Sequence, residues 1–131
     1  VGFPGELSSD FLDTMTFLSS LKVSYLHVFP YSERDDTIAA NLDGMIPQKE
    51  RNMRSKQLRN LSNKFQNSFI NSQINKVRKV LFESVKDEWV YGLTDNYIRI
   101  KVNCDKSIIN TIQNIRITDS KDNIAIGEFI N

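Results

Sequence analysis

Cysteine is all but missing: Cys104 is the only one in 131 residues. A single thiol excludes an internal disulfide, and it excludes a zinc or iron–sulfur centre built from several cysteines of this chain. Histidine is equally scarce. His27 stands alone, which excludes His–His metal motifs and leaves few acid–base candidates. Five glycines and three prolines are too few for a low-complexity linker. No apolar run is long enough to span a bilayer, so no membrane partner is expected. No basic stretch leading into an apolar one opens the chain, so no signal peptide is expected. Net charge is nearly absent as well, with 17 Lys and Arg against 16 Asp and Glu.

What is present is a globular composition, 40% hydrophobic and 25% charged, of a length for one ordinary domain or two small ones. The charge is unevenly spread. Residues 1–47 hold seven acids and two bases, residues 48–79 nine bases and one acid, and residues 80–131 eight acids and six bases. A basic middle third between acidic flanks is a candidate surface for a polyanion. Val1-Gly2-Phe3-Pro4-Gly5-Glu6 lacks Met and reads as a strand end running into a turn, so the chain is expected to be a piece of something longer.

After that turn, Ser8-Ser9-Asp10 offers side-chain acceptors for a helix start. Phe11, Met15 and Leu18, with Leu12 and Leu21, recur at helical spacing to about Leu21. Val23–Phe29 is rich in β-branched and aromatic residues and is stopped by Pro30. It predicts a strand with Tyr25, His27 and Phe29 on one face and Leu26 and Val28 on the other. Strand, helix, strand predicts a parallel βαβ unit. Residues 31–47 read as an irregular acidic loop. Gln48 to about Gln73 predicts a long helix, with Leu58, Leu61, Phe65 and Phe69 as its apolar stripe below Arg54 and most of the basic residues on its polar face. From Lys76 the period becomes two. Five short strands are predicted, near 76–83, 89–93, 96–103, 112–118 and 124–130, with turn residues between several of them. That pattern predicts a small closed barrel of OB-like character. The fold class is α/β plus all-β, divided into residues 1–72 and 73–131.

Three places carry candidate chemistry. Glycines in the Gly2–Glu6 turn let a backbone approach a ligand closely, and helix N-terminal amides favour an anion, although any tight βα turn uses the same residues. His27, Phe29 and Tyr31 project near the end of the second strand, the edge where α/β barrels bind ligands. A lone histidine there is more often a satisfied core residue than a catalyst. In Tyr97–Val102, the inward Ile98, Ile100 and Val102 leave Tyr97, Arg99 and Lys101 on the outer face. An aromatic beside two cations suits base stacking plus phosphate contact, and an ordinary solvated strand face is the alternative. Lys76, Arg78 and Lys79 extend the basic inventory. Cys104 reads as a structural thiol and Trp89 as barrel packing.

The order of motifs resembles the C-terminal part of the radical-SAM methylthiotransferases. It carries GFPGE at 2–6, HVFPYSER at 27–34, the basic helix, VLFE at 80–83 and DNYIRIK at 95–101. It is most similar to the branch acting on N6-threonylcarbamoyladenosine in tRNA. The resemblance covers essentially the whole chain. It implies the last strand–helix units of a partial radical-SAM (β/α) barrel, followed by a five-stranded TRAM barrel that binds tRNA. It implies a cytoplasmic parent enzyme that adds a methylthio group at C2 of a modified adenosine beside the anticodon. That parent would use S-adenosylmethionine and two 4Fe–4S clusters, neither of which one cysteine can hold, so this chain alone is expected to be inactive. Gly2, Phe3, Pro4, Gly5, Glu6, His27, Phe29 and Tyr31 are then expected at the S-adenosylmethionine site. Arg34, Lys76, Arg78, Lys79, Tyr97, Arg99 and Lys101 are expected at the RNA. A non-enzymatic RNA-binding module and a methylthiotransferase acting on a ribosomal protein are the alternatives. An open parallel sheet edge at Val1–Glu6 and 23–29 is expected to invite self-association. Two departures from the family pattern stand out: Leu7 where the family has Thr after GFPGE, and Asp35-Asp36-Thr37 where it has Pro-Gly-Thr.

Overall fold

The computed structural model describes residues 1–130. It falls into two compact units, Val1–Phe65 and Gln66–Asn131.

In the first unit, helix α1 spans Ser8–Ser20 and helix α2, Gln48–Asn71, begins and runs on past the division. Both were expected. The start of α1 follows from one half of a capping box: the Asp10 carboxylate accepts from the Leu7 N–H at 2.8 Å. Leu7 has no side-chain oxygen to return the bond, so one helix-start N–H lacks the partner that a Ser or Thr would supply. On α2, Leu58, Arg51, Arg54, Ser55 and Ser62 are buried, while Lys49, Lys56, Arg59 and Lys64 are exposed.

The strand predicted at 23–29 is a correction. These residues form no strand, although Tyr25, His27 and Phe29 are exposed and alternate with half-buried Leu26 and Val28. The physical reason lies in where the backbone groups go. The Leu26 N–H and C=O both bond the Ser62 hydroxyl, at 2.8 and 3.1 Å, in place of a ladder. A single parallel-type link remains further on. The Val1 amine donates to the Phe29 carbonyl at 3.0 Å, and the Tyr31 N–H donates to the Val1 carbonyl at 2.8 Å. With no ladder in this segment, the sheet edge expected here is absent among the described residues.

In the second unit, strands β1 (Val77–Lys86), β2 (Trp89–Thr94), β3 (Arg99–Asn103), β4 (Ile112–Lys121) and β5 (Ile124–Phe129) close into a barrel in the order β1-β2-β3-β5-β4. All neighbours are antiparallel except β3 and β5. This matches the closed barrel expected from the period-two pattern. Val80, Phe82, Val90, Ile98, Ile100, Val102, Ile115, Ile117 and Ala125 fill the interior with Ile70 of α2. Each fully buried large side chain contributes roughly 1.5–3 kcal/mol. Bulges between Phe82 and Ser84 and between Ile117 and Asp119 bend β1 and β4, which lets five strands close. At Gly127 an added Cβ would lie 2.4 Å from Ile115 Cγ2, so only glycine lets β5 pass that close to the core.

Candidate functional site

The Gly2–Glu6 turn is held from inside the chain. Gly2 and Gly5 sit at φ 81° and 85°, where glycine is at ease. The Gly2 N–H donates to the Glu6 carboxylate at 2.9 Å, the Gly5 N–H to the Gly44 carbonyl at 2.8 Å, and the Glu6 N–H to the Phe3 carbonyl at 3.0 Å. Glu6 also accepts from Arg54, on its carboxylate and, at 2.9 Å, on its carbonyl. The N–H groups of Gly2, Gly5 and Glu6 are therefore engaged within the chain. Pro4 is buried and Phe3 exposed.

The structure brings Phe3 and Tyr31 together, ring edge to ring face, with centroids 5.1 Å apart. His27 is exposed and lies edge-on to Tyr25 at 5.0 Å, so it is not the core histidine that its sequence context favoured. Phe29 is 73% exposed. A hollow of about 380 Å³ takes in Val1, Leu26, His27, Phe29 and Leu58. Arg34 is exposed. Asp36, in the departure from Pro-Gly-Thr, sits at φ 63°, the region that glycine adopts freely and Asp tolerates.

Two arginines counted in the basic run are internal. Arg51 donates to the Ile46 and Tyr31 carbonyls at 2.6 and 3.0 Å and pairs with Glu33. Its hydrogen bond holds the Glu33 carboxyl below the usual carboxylate range. Arg54 pairs with Glu6 and Glu50 and lies over the Phe11 ring at 5.5 Å. Burial opposes its charge, but the bonds to the two carboxylates outweigh that and raise its pKa. Sequence reasoning missed these partners, apart from the readable spacing of four between Glu50 and Arg54.

On the barrel, the expected RNA residues separate into groups. Arg78 has the inward parity of Val80 and Phe82. It is half-buried, donates to Gln73 and lies 3.8 Å from Asp95. It belongs to the barrel end. Lys76 and Lys79 are exposed. Arg99 and Lys101 lie on the outer face of β3 as expected, opposite Leu93 and Tyr91 of β2. Tyr91 is directly opposite Lys101, and the Lys101 amine sits 4.4 Å from the Trp89 ring centroid. Arg99 shares a hollow of about 250 Å³ with Lys86 and Tyr91. Trp89 and Tyr91 are thus part of an aromatic and cationic face. The signal for them was the outward parity of β2.

Tyr97 departs from this face. It precedes β3, at φ 64°, and is 77% exposed. Its N–H bonds the Thr94 carbonyl at 3.0 Å, while Thr94 and Ile98 close the hairpin. Tyr97 shares a groove of about 300 Å³ with Lys79, Leu81, Leu93, Asp95 and Ile112, and this groove adjoins Arg99, the register partner of Leu93. Cys104 packs against the core. Burial pushes its thiol pKa up, and Asp105 adds to that, so it is not an activated nucleophile.

No family model matches the chain. Relatives do. The threonylcarbamoyladenosine tRNA methylthiotransferase MtaB of Bacillus subtilis is 30% identical over 135 residues, covering 99% of this chain and 30% of that protein. A tRNA-2-methylthio-N(6)-dimethylallyladenosine synthase of Ruthia magnifica is 32% identical over 132 residues, with the same coverage. The synthase of Campylobacter jejuni (strain RM1221) is 30% identical over 131 residues. The chain is a homologue of tRNA methylthiotransferases. It spans about 30% of the length of the methylthiotransferases it matches. Among the described residues, no group of three or more His, Cys, Asp or Glu is placed to hold a metal ion. One thiol cannot take the place of the three or four that a cluster needs. The donor set of this chain does not fit an iron–sulfur cluster. No helix of the described residues is long and apolar enough to cross a membrane.

Proposed function

We propose that this chain is the C-terminal part of a cytoplasmic radical-SAM enzyme that adds a methylthio group at C2 of a modified adenosine beside the tRNA anticodon. In this reading the barrel is a TRAM domain and supplies the grip on tRNA, and residues 1–72 belong to the radical-SAM domain. The single observation that carries the reading is similarity over 99% of the chain to proteins named as tRNA methylthiotransferases. The face of Arg99, Lys101, Trp89 and Tyr91 supports it, because cations beside aromatics suit phosphate contact and base stacking.

S-adenosylmethionine and the clusters supply the radical and methyl chemistry, and this chain supplies binding and orientation. Gly2, Pro4, Gly5 and Glu6 act as a rigid turn fixed through Arg54. The surface offered to the cofactor is then the rings of Phe3, His27, Phe29 and Tyr31, with the Gly2, Gly5 and Glu6 amides already engaged. By itself the chain is inactive.

Titrating unmodified tRNA against the chain at several salt concentrations tests the reading. Log affinity should fall linearly with log salt, and Arg99→Ala with Lys101→Ala should flatten the line by about two phosphate contacts. Absence of tRNA binding at low salt overturns the reading.

A further inference from the structure

Leu81 of β1 pairs in register with Leu93 of β2 and with Ile112 of β4. All three have outward parity, and Leu81 and Ile112 are 41% and 65% exposed. The row therefore forms an apolar stripe across the outside of three strands, ended on β3 by Arg99 opposite Leu93. Tyr97 stands at one end and Lys79 at the rim, around a groove of about 300 Å³. The Tyr97 ring has no aromatic partner among the described residues. The turn that presents it asks for glycine or asparagine at its left-handed position, and φ 64° there is strained for a bulky aromatic. Stability does not account for an exposed aromatic held in a costly backbone conformation over an open apolar floor.

We infer that this groove is a subsite for one unstacked RNA base, with Tyr97 stacking on its face, Leu81, Leu93 and Ile112 as the floor, and Lys79 meeting the adjoining phosphate. The inference rests on the RNA-binding reading of the barrel. It adds a base subsite that adjoins the Arg99–Lys101 face, since Arg99 lies opposite the floor residue Leu93. The flat aromatic, the apolar floor and a cation at the rim fit a base with its phosphate. Stacking tolerates any base, so the subsite reads strandedness in place of sequence.

The test uses the full chain with a short single-stranded RNA, the same sequence as a paired duplex, and tRNA. Tyr97→Asn suits the left-handed turn and should keep the fold, with a circular dichroism melt at or above that of the wild type. It should weaken single-strand binding tenfold or more, leave duplex binding and the salt slope unchanged, and weaken tRNA only where tRNA offers an unpaired base. Lys79→Ala should lower the slope on both RNAs. Equal losses on single strand and duplex, or no loss with Tyr97→Asn, overturn the subsite while tRNA binding by the wild type still stands. A wild-type chain that binds no RNA overturns both readings. A wild type that self-associates, with Tyr97→Asn monomeric, assigns the groove to a second copy of the chain and also overturns the proposal.

Discussion

Replacing Arg54 with Met should unfold the N-terminal unit at markedly lower denaturant. Arg54 is 3% exposed, and its guanidinium serves the Glu6 carboxylate, the Glu6 carbonyl and the Glu50 carboxylate. Methionine keeps an apolar stem of similar length and removes every donor, together with the guanidinium that lies over Phe11. Breaking a buried pair by removing one partner costs about 3–5 kcal/mol, because the other charge is left behind. Here the partners are partly wet, with Glu6 and Glu50 side chains 20% and 35% exposed, and Glu6 keeps its bond from the Gly2 N–H. The lower end applies, about 3 kcal/mol. Arg54→Lys keeps the charge but cannot reach two carboxylates with one fork, and should lose about 1–2 kcal/mol. Adding Glu6→Gln and Glu50→Gln to Arg54→Met should recover most of the loss, because the stranded charges are gone. Urea unfolding followed by far-ultraviolet circular dichroism measures all three. A loss below about 1 kcal/mol for Arg54→Met, or a triple variant as unstable as the single one, refutes the argument.

Gly127→Ala drives a methyl into Ile115 and Ile100, both fully buried, with contacts of 2.4 and 2.9 Å. It should cost about 1–3 kcal/mol in a thermal melt. Gly5→Ala meets no atom within 4 Å and should cost only backbone strain, about 1–2 kcal/mol. Leu7→Thr completes the capping box at a 64% exposed position and should raise the stability of α1 by about 0.5–1 kcal/mol; an unchanged melt would count against the half-box description. Glu33 has its folded pKa depressed by the bond from Arg51. The stability it contributes is therefore present above its ordinary value of 4.5 and is lost as pH falls through the lower folded value. The gap between wild type and Glu33→Gln should close on acidification and stay constant from neutral to mildly alkaline pH.

The barrel was legible because its signals agree. Period-two runs, the Asp87, Asp95–Asn96 and Asp122–Asn123 turns, and apolar residues of one parity all point to five closed strands, and the observed strands start and end within a few residues of the expected ones. The segment 23–29 misled for a definite reason. Strand propensity reports fit to a pleated, half-buried surface, but a strand also needs a neighbour to take its hydrogen bonds, and Ser62 takes those of Leu26. The candidate sites divide in the same way. Arg99 and Lys101 were legible from alternation alone. The separation of Tyr97 from them was not, because a one-residue left-handed step before β3 re-aims a side chain without changing the pattern of residue types.

The basic run gives the last expectation. Nine cations in residues 48–79 read as one polyanion surface, yet a count of charges says nothing of their partners. Arg51, Arg54 and Arg78 are engaged within the chain. Exposed Lys49, Lys56, Arg59 and Lys64 on α2 and Lys76 and Lys79 on the barrel side remain. If tRNA is held by Lys76, Lys79, Arg99 and Lys101 alone, about four phosphates are neutralised and the slope of log affinity against log salt should be about −3 to −4. If the α2 cations engage as well, the slope should approach about −7. Lys56→Ala with Arg59→Ala separates the two cases, since it flattens only the steeper line. A slope near zero would mean that none of these cations meets phosphate, and would remove the electrostatic basis of tRNA binding by this chain.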